Sequence, residues 1–318
     1  MLRNYSLGLL AALVATALWG FTFLGPAAIR PVNVYYLVVG RYLIFGLMSI
    51  AVLALNLPKL RRLGASNFLK AMHLGIVGYI GFYLLLSMSA SIGGGVLAST
   101  LTGLIPVIVS LVSNFIEKAL AWRRLLIPIA IIFCGLLLVN VDFTSVWIDS
   151  NPHGILIGTA LAFAACLAWS YFVITNGILL KRAKFGIDNV VWTASIGFGA
   201  FCAAILLVPL ARSADGTSPF LNAGVFGYFL AWCAALAVLG SWCATWFWNI
   251  AAKRLSTTIM GPIIGMEAVF GVVFNLLWER RFPTFYEFWG GILVVFGVFL
   301  CAYTFNRARW RPKAVPYS

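Results

Sequence analysis

Two apolar segments of the chain resemble each other: LVATALWGFTFLG at residues 13–25 and LAFAACLAWSYFV at residues 161–173. Each places a tryptophan, Trp19 or Trp169, deep inside the apolar run. Because these runs are long and show no alternation of polar and apolar residues, they predict membrane-spanning helices and exclude barrel strands. The return of the motif in the second half of the chain indicates an internal repeat.

The composition places the whole chain in the membrane. Of its 318 residues, 63% are hydrophobic and only 9% are charged, and the mean hydropathy is +1.01. A spanning helix needs about 20 mostly apolar residues. On that criterion we predict ten spans, at residues 6–25, 34–56, 68–89, 94–115, 125–142, 153–177, 189–210, 222–250, 256–277 and 285–305.

The basic residues predict the orientation of these spans. The chain has 22 Lys and Arg against 8 Asp and Glu, a net charge of +14. Cytoplasmic loops retain positive charge, and with the N-terminus inside only four basic residues fall in outer loops: Arg30, Arg212, Arg280 and Arg281. We therefore expect both termini in the cytoplasm, with a short basic tail at the C-terminus. Insertion and lipid headgroups account for this charge, so we expect no nucleic-acid partner.

Further features recur in the same order in the two halves. FCGLLLV at 133–139 has its counterpart in VFGVFLC at 295–301. In the fourth span Pro106 precedes Asn114 by eight residues and Glu117 follows; in the ninth span Glu267 precedes Asn275 by eight residues and Glu279 follows. These matches divide the chain into repeats at residues 1–147 and 148–318, each with five spans.

An odd number of spans in each repeat sets their relative orientation, because the second copy must enter the membrane from the opposite side. The predicted fold is an all-α integral membrane protein with ten transmembrane helices in two five-helix inverted-topology repeats. Secondary transporters use this plan, with substrate bound near the midplane and alternating access produced by rocking the two halves.

Several motifs together resemble a known family: LWGFTF at 18–23, AWSYF at 168–172, GRYLIFG at 40–46, and the pair Pro106 and Glu267. The chain resembles the drug/metabolite transporter superfamily and, within it, the EamA-type permeases. The resemblance implies export of amino acids, related metabolites or cationic drugs, and location in a bacterial inner (plasma) membrane. The second half departs from the pattern, because VVWTASIGFGA at 190–200 lacks a partner for Arg41.

Among the acids and bases of the predicted spans, Arg41 and Glu267 qualify clearly as charges inside the bilayer, where a charge is costly and usually functional. Arg41 lies roughly 10 Å and Glu267 about 13 Å below the outer face of the hydrocarbon core. Two interpretations remain open. In one, the residues form a structural ion pair. In the other, Glu267 faces the cavity, as a proton-coupling carboxylate or as the partner of an amine.

Aromatic residues form the second candidate set. Tyr79 and Tyr83 share a face of the third span, and Trp19 and Trp169 are related by the repeat. A polar and aromatic face of the eighth span contains Trp242, Thr245, Trp246, Asn249 and Lys253. Such rings offer apolar area, a polar handle and cation–π contacts. We predict substrate binding by Trp19, Tyr79, Tyr83, Pro106, Trp169, Trp242, Trp246, Asn249 and Glu267, against the alternative of an interfacial aromatic belt.

Prolines and glycines mark the fourth and ninth spans. Pro106 and Pro262 free backbone carbonyls, which suits a hinge or a solute contact. Gly261 and Gly265 form a GxxxG spacing that predicts close helix packing.

Other functions remain as alternatives. A facilitative uniporter or importer is the nearest, and a channel or membrane-embedded enzyme is more distant, since no HExxH, GxSxG or Walker motif occurs. The six cysteines show no metal-ligand spacing. We therefore predict a non-enzymatic protein without cofactor or metal, whose partners are a small-molecule substrate, the lipid bilayer and, if coupled, protons, with no obligate protein partner.

Overall fold

The computed structural model describes residues 2–140, 152–182, 186–213, 218 and 223–309. Within these residues, ten helices are long and apolar enough to cross a membrane. Their bounds are α1 Asn4–Ala28, α2 Val34–Leu55, α3 Ala65–Gly93, α4 Leu97–Glu117, α5 Trp122–Val139, α6 His153–Arg182, α7 Asn189–Leu206, α8 Gly224–Ala252, α9 Thr257–Glu279 and α10 Phe285–Arg307.

These helices confirm the ten predicted spans and the all-α membrane fold. Short helices follow the second helix of each half, at Leu57–Leu63 and Val208–Ser213. The predicted boundary between the repeats at 147/148 and most of the basic tail lie outside the described residues.

Polar caps start the second helix of each half. The side chain of Asn33 accepts a hydrogen bond from the Tyr35 amide at 2.8 Å, and that of Asp188 accepts one from the Val190 amide at 2.9 Å. Such caps satisfy backbone donors that the first helical turn leaves without a partner. The entry of α2 and α7 is therefore fixed by the same local chemistry.

The same local distortions also recur in equivalent helices. The third helix of each half contains a π-helical segment, Ile76–Gly81 in α3 and Leu236–Cys243 in α8. The fourth helix of each half is interrupted at a glycine, Gly103 in α4 and Gly265 in α9. Since the sequences at these points differ, the distortions belong to the shared fold.

Helices of the first half pack against helices of the second: α2 on α7, α3 on α6, α4 on α9, α5 on α10, and α1 on both α8 and α9. Small residues permit the closest approaches. A Cβ at Gly75 would overlap the carbonyl oxygen of Ile196, and one at Gly261 would overlap Ser110. Dispersion contacts across such glycine-lined surfaces hold membrane helices together.

Candidate functional site

The repeated tryptophans meet at the contact between the halves. The rings of Trp19 on α1 and Trp169 on α6 are 5.2 Å apart, edge to face, and only 3% and 5% of the two residues are exposed. Gly20 lets α1 approach α9, because a Cβ there would lie 2.8 Å from the Glu267 carbonyl oxygen and the Gly271 amide. The motif that appears twice in the sequence thus contributes one ring from each half to a single cluster.

Further rings extend this cluster. Trp248 on α8 lies 5.1 Å from Trp19, and Tyr79 on α3 lies 5.8 Å from Trp169. Tyr42 on α2 then contacts Tyr79 at 5.8 Å. We call these five residues the central aromatic cluster, and it draws on helices of both halves.

The π-helical segments place polar groups beside this cluster. Tyr79 lies in the segment of α3, and its hydroxyl hydrogen-bonds the Thr245 hydroxyl on α8. In α8, Ser241 reaches the carbonyl of Leu236, five residues before it, at 3.4 Å. Because π-helical turns widen the helix and are frequent at functional sites, both segments make this region the candidate site.

Arg41 is anchored by uncharged groups of α3 and α8. Its Nε donates to Ser241 Oγ at 2.8 Å, Nη1 to the Tyr83 hydroxyl at 2.9 Å and Nη2 to the Gly240 carbonyl at 2.9 Å. The guanidinium also lies over the rings of Tyr42 and Tyr83, 5.2 and 5.3 Å from their centroids. Only 4% of Arg41 is exposed.

Arg41 and Glu267 do not form the direct ion pair that one interpretation of the sequence required. No carboxylate of the described residues lies within 4 Å of the Arg41 guanidinium, because its donors are directed to the π-helical turn of α8. Glu267 is half-buried in the first turn after the break in α9. It therefore retains the capacity to accept a hydrogen bond from a solute.

The predicted face of α8 is only partly in the cluster. Trp242 is half-buried and contacts Phe45 at 6.1 Å, and Trp246 packs on its neighbour Phe247. Asn249 is buried and lies in a closed polar network, accepting from Asn176 at 2.8 Å and donating to Thr193 at 3.0 Å. The structure therefore places Asn249 in a helix-packing contact, away from any free surface.

Lys253, the last residue of that face, lies beyond the end of α8. Its ammonium donates to the carbonyl of Ile187. Burial lowers the pKa of Lys253 below its ordinary value. The residue thus connects the ends of two helices at a distance from the rings.

Sequence reasoning missed Trp248, which is fully buried against Trp19. The predicted face includes Thr245 and Asn249, which are buried, but Trp246 in place of Trp248. The buried face of α8 contains Thr245, Trp248, Asn249 and Ala252. The signal was present, since Trp248 is three residues from Thr245 and shares a helical face with it.

The prolines and glycines of α4 and α9 are buried in contacts between helices. Pro106 and Pro262 are buried, and the carbonyl of Pro106 accepts from the Ser110 hydroxyl at 2.6 Å. Gly261 faces Ser110, and a Cβ at Gly265 would lie 3.2 Å from Ile132. Gly261 therefore lies in the contact between α4 and α9, whereas Gly265 faces Ile132 of α5 and Val294 of α10. None of these residues belongs to the central aromatic cluster.

One end of this crossing is closed by the carboxylate of Glu117. It accepts from the amides of Thr257 and Thr258 at 3.0 and 3.1 Å, and from the Thr258 hydroxyl at 2.9 Å. Lys181, at the end of α6, donates to the same carboxylate at 2.9 Å. The C-terminal end of α4 is thereby joined to the N-terminal end of α9.

An apolar groove of about 550 Å³ lies on another face of α9, towards α10. It is lined by residues such as Val269, Val273 and Phe296. Gly271 of α9 faces α1 instead. The groove is therefore separate from the central aromatic cluster.

Comparison with known proteins agrees with this architecture. The EamA-like transporter family matches residues 6–141 and 156–303, one match for each half. The "Inner membrane protein YtfF" of Escherichia coli (strain K12) is 26% identical over 302 residues, 92% of this chain and 93% of that protein. A crystal structure of another protein superposes with a TM-score of 0.76 at 16% identity, over 95% of this chain and 98% of the other. The chain belongs to the EamA-like transporter family.

Proposed function

We propose that the protein is a secondary transporter that exports small organic solutes, namely amino acids, related metabolites or cationic drugs, by alternating access between two inverted five-helix repeats. It acts in a bacterial inner membrane with both termini in the cytoplasm. The observation that carries the proposal is the meeting of Trp19 and Trp169, equivalent residues of the two halves, in one buried cluster.

The relation of α4 to α9 supports the inverted arrangement. These helices are equivalent in the two halves, yet Glu117 at the end of α4 contacts Thr257 at the start of α9. The two helices pack along each other, and the end of α4 lies beside the start of α9. The two equivalent helices therefore run in opposite directions. Lys118 and Arg280, directly after the two helices, both adopt the left-handed conformation, with φ of 49° and 52°.

The absence of an ion pair at Glu267 within the described residues favours coupling over a purely structural role. A carboxylate without a fixed partner is free to bind a proton or the amine of a solute. Facilitated movement without proton coupling, in either direction, is the runner-up, and a channel or a membrane-embedded enzyme is more distant.

Release of solute from proteoliposomes tests the proposal. Purified protein is reconstituted in liposomes loaded with labelled amino acids and organic cations, and release is recorded with and without a pH gradient. We expect release that accelerates with the gradient and loses this dependence in Glu267→Gln. Release at the same rate with and without the pH gradient would identify a facilitator. No release of any solute in the panel would contradict the proposal.

A further inference from the structure

Three polar groups of the central aromatic cluster are buried without a hydrogen-bond partner among the described residues: Trp19 Nε1, Trp248 Nε1 and the Tyr42 hydroxyl. The exposed fractions of the three residues are 3%, 0% and 0%. Buried polar groups are almost always hydrogen-bonded, because leaving one without a partner is costly. These three groups therefore require an explanation.

Equivalent groups nearby do have partners. The indole of Trp192, also fully buried, donates to Asn176 Oδ1 at 2.7 Å. The Tyr79 hydroxyl forms a hydrogen bond with Thr245, and the Tyr83 hydroxyl accepts one from Arg41. The missing partners of Trp19, Trp248 and Tyr42 therefore do not reflect aromatic residues of this chain in general, although some buried hydroxyl groups elsewhere, such as those of Thr100 and Ser113, also lack a partner among the described residues.

The chemical character of these groups selects their ligand. An indole N–H can only donate, so Trp19 and Trp248 both need an acceptor. Arg41, whose guanidinium lies 5.2 Å from the centroid of the Tyr42 ring, adds positive charge. Its three hydrogen bonds to described residues leave two of its five N–H groups for another acceptor.

Contacts between rings connect these donors, directly for Trp19 and Trp248 and through Trp169 and Tyr79 for Tyr42. Trp248 lies 5.1 Å from Trp19 and Trp19 lies 5.2 Å from Trp169. Tyr79 then connects Trp169 to Tyr42, at 5.8 Å to each. The donors come from α1, α2 and α8, which belong to both halves.

We propose that the transported solute carries a carboxylate, bound by Trp19, Trp248, Tyr42 and Arg41. This inference rests on the proposed function and narrows it, since a solute with cationic groups alone would leave Trp19 Nε1 and Trp248 Nε1 without an acceptor. Glu267, which faces none of these donors at hydrogen-bond distance, accepts the amine of a solute that also carries one.

Ligand-induced thermal stabilisation of the purified protein tests the proposal without requiring transport. The probes are leucine and phenylalanine, the matched amines isopentylamine and 2-phenylethylamine, and the matched acids 4-methylpentanoate and 3-phenylpropanoate. We expect the melting temperature to rise with probes that carry a carboxylate and not with the amines. Stabilisation by the amines alone, or by no probe, overturns the proposal.

Three conservative variants identify the donors. Trp248→Phe and Tyr42→Phe keep a ring and remove one donor, and each should weaken carboxylate binding by roughly 10-fold or more. Trp289→Phe is the control, because Trp289 on α10 is 47% exposed, packs on Phe285 and Phe288 outside the cluster, and its variant should bind as the parent does. Equal binding by all three variants contradicts the assignment of donors, whatever the effect of each on basal melting temperature.

The two proposals fail separately. Stabilisation by carboxylates without release from proteoliposomes leaves the carboxylate site intact and contradicts the transport function. Release of amines but not of carboxylates leaves transport intact and contradicts the carboxylate site.

Discussion

Replacing Glu117 with alanine should destabilise the contact between the halves far more than its position at a helix end suggests. The side chain accepts from two amides and a hydroxyl at the start of α9 and pairs with Lys181. Only 21% of the Glu117 side chain and 30% of the Lys181 side chain are exposed. Because both side chains are largely shielded from water, water competes only weakly for these hydrogen bonds.

The magnitude follows from the kinds of contact removed. Loss of a helix cap costs about 0.5–2 kcal/mol, a hydrogen bond to a charged group about 1.5–3 kcal/mol, and a partly exposed ion pair about 0.2–1 kcal/mol. Because these contributions overlap on one carboxylate, we expect Glu117→Ala to lower the free energy of unfolding by about 2–4 kcal/mol. Reversible unfolding by increasing mole fractions of sodium dodecyl sulfate in mixed micelles measures this loss.

The repeat supplies the control. Glu279 ends α9 as Glu117 ends α4, but its side chain is 50% exposed and pairs with Arg281 in its own loop. Glu279→Ala should cost less than about 1 kcal/mol. Losses equal within about 0.5 kcal/mol for the two variants would refute the reasoning that the Glu117 contacts join the halves.

Two further predictions concern polar contacts outside the central aromatic cluster. Asn249→Leu removes the acceptor of the Asn176 Nδ2 amide and the donor to the Thr193 hydroxyl, so it should lower the free energy of unfolding by about 2–4 kcal/mol while leaving the stabilisation by carboxylates in place. Loss of that stabilisation in a folded variant would show that Asn249 takes part in binding. Burial raises the pKa of Asp188, but the hydrogen bonds from Lys59 and from the amides of Val191 and Val190 outweigh it, so the pKa lies below its ordinary value. The resulting stability is present above about pH 3.9 and is lost as the pH falls through the folded-state pKa. This stabilisation is worth less than about 1 kcal/mol, because 35% of the Asp188 side chain and 49% of the Lys59 side chain are exposed. The free energy of unfolding, measured at pH 6 and pH 3.5, should differ less between the two pH values in Asp188→Asn than in the parent. An equal difference in the two proteins would contradict the role of Asp188.

The helices followed closely from the sequence because the bilayer imposes their length. The spans predicted at 34–56 and 256–277 are the helices Val34–Leu55 and Thr257–Glu279. Apolar length and loop punctuation determine these bounds with little influence from tertiary contacts. The repeat also followed from sequence, since Trp19 and Trp169 keep the same apolar surroundings.

The residues that form the buried face of α8 could not be predicted from the sequence. The α-helical periodicity assigned to Trp242 and Trp246 assumes a uniform helix, but Leu236–Cys243 is π-helical. Apolar residues fill this segment as they fill the rest of the span, so the composition gives no sign of the wider turn. The same omission concealed the partner of Arg41, the carbonyl of Gly240, because a backbone acceptor has no signature in the side chains.

The role of Asn249 illustrates a second limit. A polar residue in a span suggests a lined cavity or a hydrogen bond between helices, and the two look alike in one sequence. Only the contacts with Asn176 and Thr193 distinguish them. Conversely, the missing partners of Trp19 and Trp248 are visible only once every neighbouring group has a position.

The opposite orientation of the two halves is the central claim, because alternating access depends on it. Lys118 and Arg280 occupy equivalent positions after α4 and α9, and both are exposed. Single cysteines at these positions, in a variant without the six native cysteines, are labelled in sealed inside-out and right-side-out vesicles with a thiol reagent that does not cross membranes. We predict that Lys118→Cys reacts from the cytoplasmic side and Arg280→Cys from the opposite side, and reaction of both from one side would contradict the inverted repeats.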